Sequence, residues 1–343
     1  MKGTVAAFDE LAGRSAAALV IDGKLDDLLV DPPDNCIRPG AVYLGRAGRP
    51  IKGLDAIFID TPDGPLFLRK AKGVAPGSSV LVQTTSYAEP GKAAPATLKL
   101  NFKSRFSIIT PGRPGANVSR SVADPEVRAR LSDLGSLCIG DRPLGVVIRS
   151  AAAGADSELV AEEISRMAAL ASSIMNESDR TGTERLLDGP GAMDIALRDW
   201  PVPEVCDDRL GSFARHGVDL AADALSSPRT VIAADASFLV EPTTALVAVD
   251  VNTGSDTSPA AGLKANIATL RALPRALRLR GLGGQIVIDL APCRKQNRTQ
   301  IMQAAQKAFR ADTIETTVIG WTPLGHLELM RKRERLPLSE AMR

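Results

Sequence analysis

Apolar runs of four to seven residues, bounded by Gly, Pro, Asn or Asp, recur through the first hundred residues and again beyond residue 228. Short β-branched or alternating runs between such breakers read as strands, and apolar recurrence at three and four residues reads as helix. Thr4–Phe8 and Ala16–Ile21, then the turn Asp22-Gly23-Lys24, predict a hairpin-like piece that Pro32-Pro33 ends. It is too short to bury a core alone and must pair with something later in the chain. Between Cys36 and Lys103 the strands Ala41–Leu44, Ala56–Ile59, Pro65–Leu68, Val80–Gln83 and Ala96–Leu100 predict a small barrel. Strands at 108–112 and 144–150 follow a basic stretch, and Ser157–Met175 predicts a helix with a serine cap and acidic first turns. Further on, 213–225 and 299–310 predict helices, and 230–233, 238–241 and 316–319 predict strands.

The remaining apolar runs organise the chain. Ala245–Val249 and Gln285–Ile288 are each followed at once by an aspartate, Asp250 and Asp289. An aspartate closing a buried strand leaves the core where the sheet meets solvent. If the two strands are parallel neighbours, the carboxylates converge at one sheet edge and repel unless a proton or cation lies between them. A hard divalent cation with oxygen ligands, Mg²⁺ first among them, is the natural occupant. Asn252, two residues past Asp250, points to the same side. The same residues also read as plain turn or helix caps, and spacing alone does not separate the two.

Length and charge widen this picture. A chain of 343 residues with 44% hydrophobic content has room for two or three soluble globular domains. Its net charge of +2 hides a segregation. Residues 91–120 carry six basic residues and no acidic one, and residues 261–300 carry eight basic residues against Asp289 alone. Residues 151–210 hold thirteen acidic and five basic residues, a poor surface for a polyanion. Acid pairs embedded in basic residues suit a phosphodiester. Arg278 and Arg280, on the segment joining the acid strands, are candidates to position its backbone, or to pair with acidic protein surface.

Other chemistries have less support. Cys36, Cys138, Cys206 and Cys293 lie far apart, so neither a zinc site nor a disulfide framework is expected, and a reducing cytoplasm fits. The start, Met1-Lys2-Gly3-Thr4, has no apolar signal core, and no run is long enough to span a membrane. His216 and His326 have no supporting motif and read as ordinary surface or partly buried residues.

Ala248-Val249-Asp250-Val251-Asn252, followed by the run from Leu277 to Asp289 (LRLRGLGGQIVID), resembles the catalytic core of the ribonuclease E/ribonuclease G family. The likeness extends, more weakly, over nearly the whole chain. It implies an α/β, multi-subdomain protein. Residues 36–103 would be an S1/OB-type RNA-binding barrel, 104–175 a 5′-sensor, and 1–35 with 176–227 a shortened, discontinuous RNase H-like remnant. Residues 228–343 would be a DNase I-like catalytic domain. On the barrel, Phe58 and Phe67 match the family's base-stacking positions, the alternative being barrel core, and Lys92 matches a basic, glycine-containing loop. Arg149-Ser150 stands where the family carries the Arg-Thr pair that grips a terminal 5′-monophosphate. Asp250 and Asp289 would hold Mg²⁺, and Asn252 would orient Asp250 or hydrogen-bond the phosphate.

The resemblance implies an Mg²⁺-dependent endoribonuclease that cleaves single-stranded RNA to 5′-phosphate and 3′-hydroxyl ends, in RNA processing or decay. The chain departs from the family in three places. It ends at Arg343 without the Cys-rich zinc-link, so a zinc-linked dimer is not expected, though a homodimer through another interface stays open. Pro292 replaces a further acid, and Pro323 replaces an arginine just before Gly325-His326-Leu327-Glu328-Leu329. Two rival readings follow: a catalytically weak RNA-binding protein of the same family, and an Mg²⁺-dependent phosphoesterase acting on a small phosphate.

Overall fold

The structure, a computed structural model, describes residues 3–233 and 235–343; Met1 and Lys2, named above, and Ala234 lie outside them. The protein is mixed α/β and divides into two compact units. One takes the chain up to Pro33, Gly191–Met193 and everything from Trp200 onward; the other takes Asp34–Pro190 and Asp194–Asp199.

In the second unit, five strands close the expected barrel. The long strand Val42–Pro50 makes closure possible: its first half pairs with Ser79–Thr84 and its second half with Ala56–Asp60. Leu66–Arg69 and Ala94–Thr97 complete the ring, the latter shifted upstream of the expected 96–100. Tyr43, Ile57, Ile59, Leu66, Leu68 and Val82 fill the interior. Glu184–Leu187 adds a short outer strand to Val42–Leu44. Beside the barrel in sequence, Leu144–Ile148 pairs antiparallel with Ser107–Pro111 and parallel with Gly115–Val118. Helices Pro125–Ile139 and Ser157–Asn176 bury their apolar stripes on that sheet through Leu131, Ile139, Val160, Ile164, Ala168 and Ala171. The first of these helices was not foreseen, although Asp124 caps it and Pro125 opens it. The second is capped by Asp156, one residue before the expected serine.

In the first unit, Thr4–Leu11, Arg14–Ile21 and Lys24–Val30 form an antiparallel sheet, and Val205–Asp207 joins its edge in parallel. Val5, Ala7, Val20 and Leu28 pack with Phe213, Val218, Ala222 and Leu279. The helix expected over 213–225 is two, Ser212–Arg215 and Val218–Ala224, separated at Gly217 with φ +67°.

A six-stranded sheet carries the two acid-ended runs. Its order is Arg229–Ala233, Ala236–Pro242, Val247–Asn252, Gly284–Asp289, Leu327–Arg331 and Thr316–Trp321. Only the central pair, Val247–Asn252 and Gly284–Asp289, is parallel. Helix Ala261–Leu279 joins them, as a parallel pair requires. Val249, Val251, Ile286, Ile288, Leu327 and Leu329 pack in one core with Leu270, Leu273 and Leu277 of that helix and with Ile301, Ala305 and Phe309 of helix Arg298–Arg310. Among the described residues, no helix is long and apolar enough to cross a membrane.

Candidate active site

The two acid strands pair with Ala248 opposite Val287, Val249 opposite Ile288 and Asp250 opposite Asp289. Side chains at paired positions leave the sheet on the same face, with neighbouring strands about 4.8 Å apart. Val247, Val249 and Val251 are buried, as are Ile286 and Ile288, while Asp250, Asn252 and Asp289 are exposed. The alternation therefore places all three polar groups on the face away from the core. Asn252 Nδ2 donates to Asp250 Oδ2 at 2.8 Å, which leaves the second Asp250 oxygen free of that bond.

Two devices hold the chain as it leaves Asp289. Asn266, 0% exposed on the connecting helix, accepts from the Ala291 N–H and donates to the Ala291 carbonyl, both at 2.9 Å. Gly262, on the same helix, lets the loop come close: a Cβ there would sit 2.0 Å from the Pro292 carbonyl oxygen. The end of the second acid strand is thus anchored to the helix that joins it to the first.

Strand order brings in a residue that reading along the chain missed. Ile288 pairs with Leu327, so His326, at the tip of the hairpin leading into Leu327–Arg331, comes up beside Asp289. Its Nδ1 lies 3.3 Å from Asp289 Oδ1, within ion-pair distance but off the line of a hydrogen bond. On the other side of the same hairpin, the Arg298 guanidinium lies 4.7 Å over the ring of Trp321. Among the described residues no three His, Cys, Asp or Glu side chains cluster to hold a metal. The protein's own donors at this edge are the two carboxylates. That set fits Mg²⁺, which keeps several waters and is commonly bound by one or two carboxylates together with substrate phosphates.

On the barrel, Phe58 and Phe67 are direct cross-strand partners on the outer face, their ring centroids 5.6 Å apart and the planes at 55°. Phe58 is 44% exposed and Phe67 half-buried, and neither belongs to the barrel core. The Arg69 guanidinium lies 5.6 Å over Phe67. Lys92 sits in the exposed loop before the last barrel strand and pairs with Glu89 at 2.8 Å.

Arg149 is held from several sides. Its Nη1 donates to the carbonyls of Ser104 (2.6 Å), Arg105 and Arg198 (both 3.2 Å), and its Nη2 to Asp199 Oδ1 at 2.8 Å. Ser150 is exposed at the first position of a short 3-10 turn. Lys103 and Arg198 also pair with Asp199, so three cations surround one carboxylate. Burial by itself would raise the Asp199 carboxyl, but the hydrogen bonds and charges of Arg198 and Lys103 outweigh it and hold it at about 2. The cluster keeps a surplus of positive charge at neutral pH.

Arg278 and Arg280 are not brought to the acid edge. Both stand at the C-terminal end of the connecting helix, which returns to the opposite end of the parallel strands. A helix of 19 residues covers about 28 Å of that return. Arg278, 7% exposed, pairs with Asp26 (3.0 Å), Asp27 (3.4 Å) and Asp312; Arg280, 9% exposed, donates to the Ser227 carbonyl at 2.9 Å. Arg278 is thus paired with carboxylates inside the fold and Arg280 with carbonyl and hydroxyl oxygens, both away from the acid edge.

A model described as the Ribonuclease E/G family matches residues 101–208 and 204–334. The chain is 26% identical to Ribonuclease E of Nostoc sp., over 93% of this chain and 54% of that protein. It is 24% identical to Ribonuclease G of Haemophilus influenzae, over 95% of this chain and 78% of that protein. With Ribonuclease G of Escherichia coli it shares 24% identity over 86% of this chain and 73% of that protein. The chain thus spans about half the length of the Nostoc relative and about three quarters of the other two.

Proposed function

The chain belongs to the ribonuclease E/G family, and from that premise we propose that it is an Mg²⁺-dependent endoribonuclease cleaving single-stranded RNA in cytoplasmic RNA processing or decay. The observation that carries this reading is the register of the acid strands, which sets Asp250 beside Asp289 on an exposed sheet face with Asn252 bonded to Asp250. In this reading both carboxylates hold the cation, and Asn252 keeps Asp250 in one rotamer. Bound there, Mg²⁺ supplies Lewis-acid stabilisation of the phosphate and lowers the pKa of an attacking water. The open face of the sheet leaves room for an RNA strand to lie across the acid edge. Attack by water, not by the ribose 2′-hydroxyl, leaves a 5′-phosphate and a 3′-hydroxyl. Incubating labelled single-stranded RNA with Mg²⁺ or with EDTA, and mapping the new ends, is the test. Cleavage that persists in EDTA, or products ending in a 2′,3′-cyclic phosphate, would refute the reading.

The rest of the chain takes supporting roles in the same reading. Residues 36–103 are the S1-type barrel and 104–175 the 5′-sensor; 1–35 with 176–227 are the RNase H-like remnant and 228–343 the DNase I-like catalytic domain. Phe58 and Phe67 form a stacking platform, and Lys92, in the loop before the last barrel strand, adds positive charge to the barrel. Stacking on an exposed ring contributes about 1–3 kcal/mol per base. Phe58→Ala is therefore expected to weaken single-strand binding about fivefold or more, and Phe67→Ala similarly. Melting temperatures should stay close to wild type, because both rings stand outside the barrel core. Collapse of the barrel in a circular dichroism melt would instead mark them as structural.

Arg149 and Ser150 are assigned to the RNA 5′-monophosphate, and the surplus of cations about Asp199 supports that assignment. Charge-assisted hydrogen bonds of this kind contribute about 1.5–3 kcal/mol each. RNA with a 5′-phosphate should be cleaved about tenfold faster than the same RNA with a 5′-hydroxyl, and Arg149→Gln should narrow the ratio. Equal initial rates on both RNAs with the wild-type protein would remove the sensor.

A further inference from the structure

We propose that Arg298, presented on the face of Trp321, grips the phosphodiester brought to Asp250 and Asp289; this rests on the nuclease reading above. Arg298 opens helix Arg298–Arg310, at the end of the loop that leaves Asp289. Its guanidinium folds back over Trp321, 4.7 Å above the ring. There it also lies near the turn between the last two strands. A Cβ at Gly325 would lie 3.2 Å from an Arg298 terminal nitrogen, and Gly325 holds φ +97°, which favours glycine. The next residue is His326, whose Nδ1 is 3.3 Å from Asp289 Oδ1. The guanidinium thus lies close to the turn whose next residue reaches the candidate metal carboxylate.

The charge state of Arg298 is what points to an anion. Arg149, Arg209, Arg215, Arg278, Arg331 and Arg335 are all paired with carboxylates. The Arg298 guanidinium makes no ion pair or hydrogen bond among the described residues; it rests on the ring of Trp321. Stacking uses the flat face of a guanidinium and leaves the in-plane N–H donors free. The ring orders the side chain without neutralising it. Those donors match the two non-bridging oxygens of a phosphodiester, the geometry in which arginine binds phosphate with two parallel bonds. Arg294 and Lys295, exposed on the same loop, add positive potential along the approach.

The test separates this grip from the nuclease reading. Binding of a single-stranded RNA in EDTA is measured over a salt series for wild type, Arg298→Gln, Arg298→Lys and Trp321→Leu. Loss of one phosphate contact should lower the slope of log Kd against log salt by about 0.7 in Arg298→Gln. Trp321→Leu should give the same loss, and Arg298→Lys should retain the slope. In Mg²⁺, Arg298→Gln should cut kcat/KM at least tenfold, and Arg298→Lys should recover part of it, having the charge but not the fork. An unchanged salt slope in Arg298→Gln overturns the grip, as does a changed slope with wild-type kcat/KM, which would put the contact away from the acid pair. A wild-type protein that fails to cleave in Mg²⁺ overturns the nuclease reading instead, while the metal-free slopes still judge Arg298.

Discussion

Asp289→Asn is expected to lower the cleavage rate by about a thousandfold or more, about 4 kcal/mol of barrier, and Asp250→Asn by a similar factor. Asparagine keeps the shape and removes the charge. One remaining carboxylate holds a hard divalent cation poorly, so raising Mg²⁺ should restore little activity. Binding of single-stranded RNA in EDTA should stay within about twofold of wild type, because stacking and phosphate contacts carry it. Asn252→Ala should cost less, since it frees the Asp250 rotamer without removing a carboxylate. Magnesium titrations of cleavage, read beside binding isotherms, are the measurement. Wild-type cleavage by either aspartate variant would mean that the assigned centre is wrong.

Asp312→Ala should be the most damaging change to stability, by about 3–5 kcal/mol. Arg331, 1% exposed, lies 2.7 Å from Asp312, and Arg278 pairs with the same carboxylate. Arg278 also reaches Asp26 and Asp27, and Arg335 and the Trp200 Nε1–H (2.9 Å) reach Asp27. Removing Asp312 leaves the Arg331 charge in the core without its partner. The melting transition of this unit should fall by about 6–20 °C, at about 2–4 °C per kcal/mol for a unit of this size. A joint change, Asp312→Leu with Arg331→Met, should recover most of the loss, because it removes the charge along with its partner. A single-variant shift under 2 °C, roughly 0.5–1 kcal/mol, would show that the pair is not stabilising.

The same cluster sets a pH dependence. Burial raises the Asp27 carboxyl, but Arg335 and Arg278 outweigh it and hold its pKa below the ordinary 3.8. A carboxyl depressed in the folded state contributes stability that is full above its unfolded pKa and is lost as pH falls through its folded one. The contribution of Asp27 should therefore be complete at neutral pH and decline only below about pH 4.

Much of the candidate site was legible along the chain. The runs ending at Asp250 and Asp289 are local patterns, and alternation alone puts both carboxylates and Asn252 on one face once the strands pair. The five barrel strands were legible for the same reason, since each is a short run between turn residues. Helix Pro125–Ile139 was missed although its cap and its proline are in the sequence, because its apolar stripe is sparse. The arginines were misleading: a basic run at 275–280 looks like a polyanion surface, yet its partners Asp26, Asp27 and Asp312 are distant in sequence.

By itself, then, the sequence determined the strands with clear apolar runs, the barrel's five and the acid pair among them, and that two strands end on acids beside an asparagine. Edge strands such as Gly115–Val118 and Val205–Asp207 were not legible. The legible features follow from periodicities of two and about 3.6 residues, which local chain geometry imposes. Only the tertiary structure decided that Leu327–Arg331 lies against the second acid strand, carrying His326 to Asp289 and setting Arg298 on Trp321. It alone decided that Arg278 and Arg280 end up buried at the far end of the connecting helix. Strand order and the partners of a charge are fixed by contacts between segments far apart in the chain. Those contacts are selected by the packing of the whole core, and no local pattern encodes them.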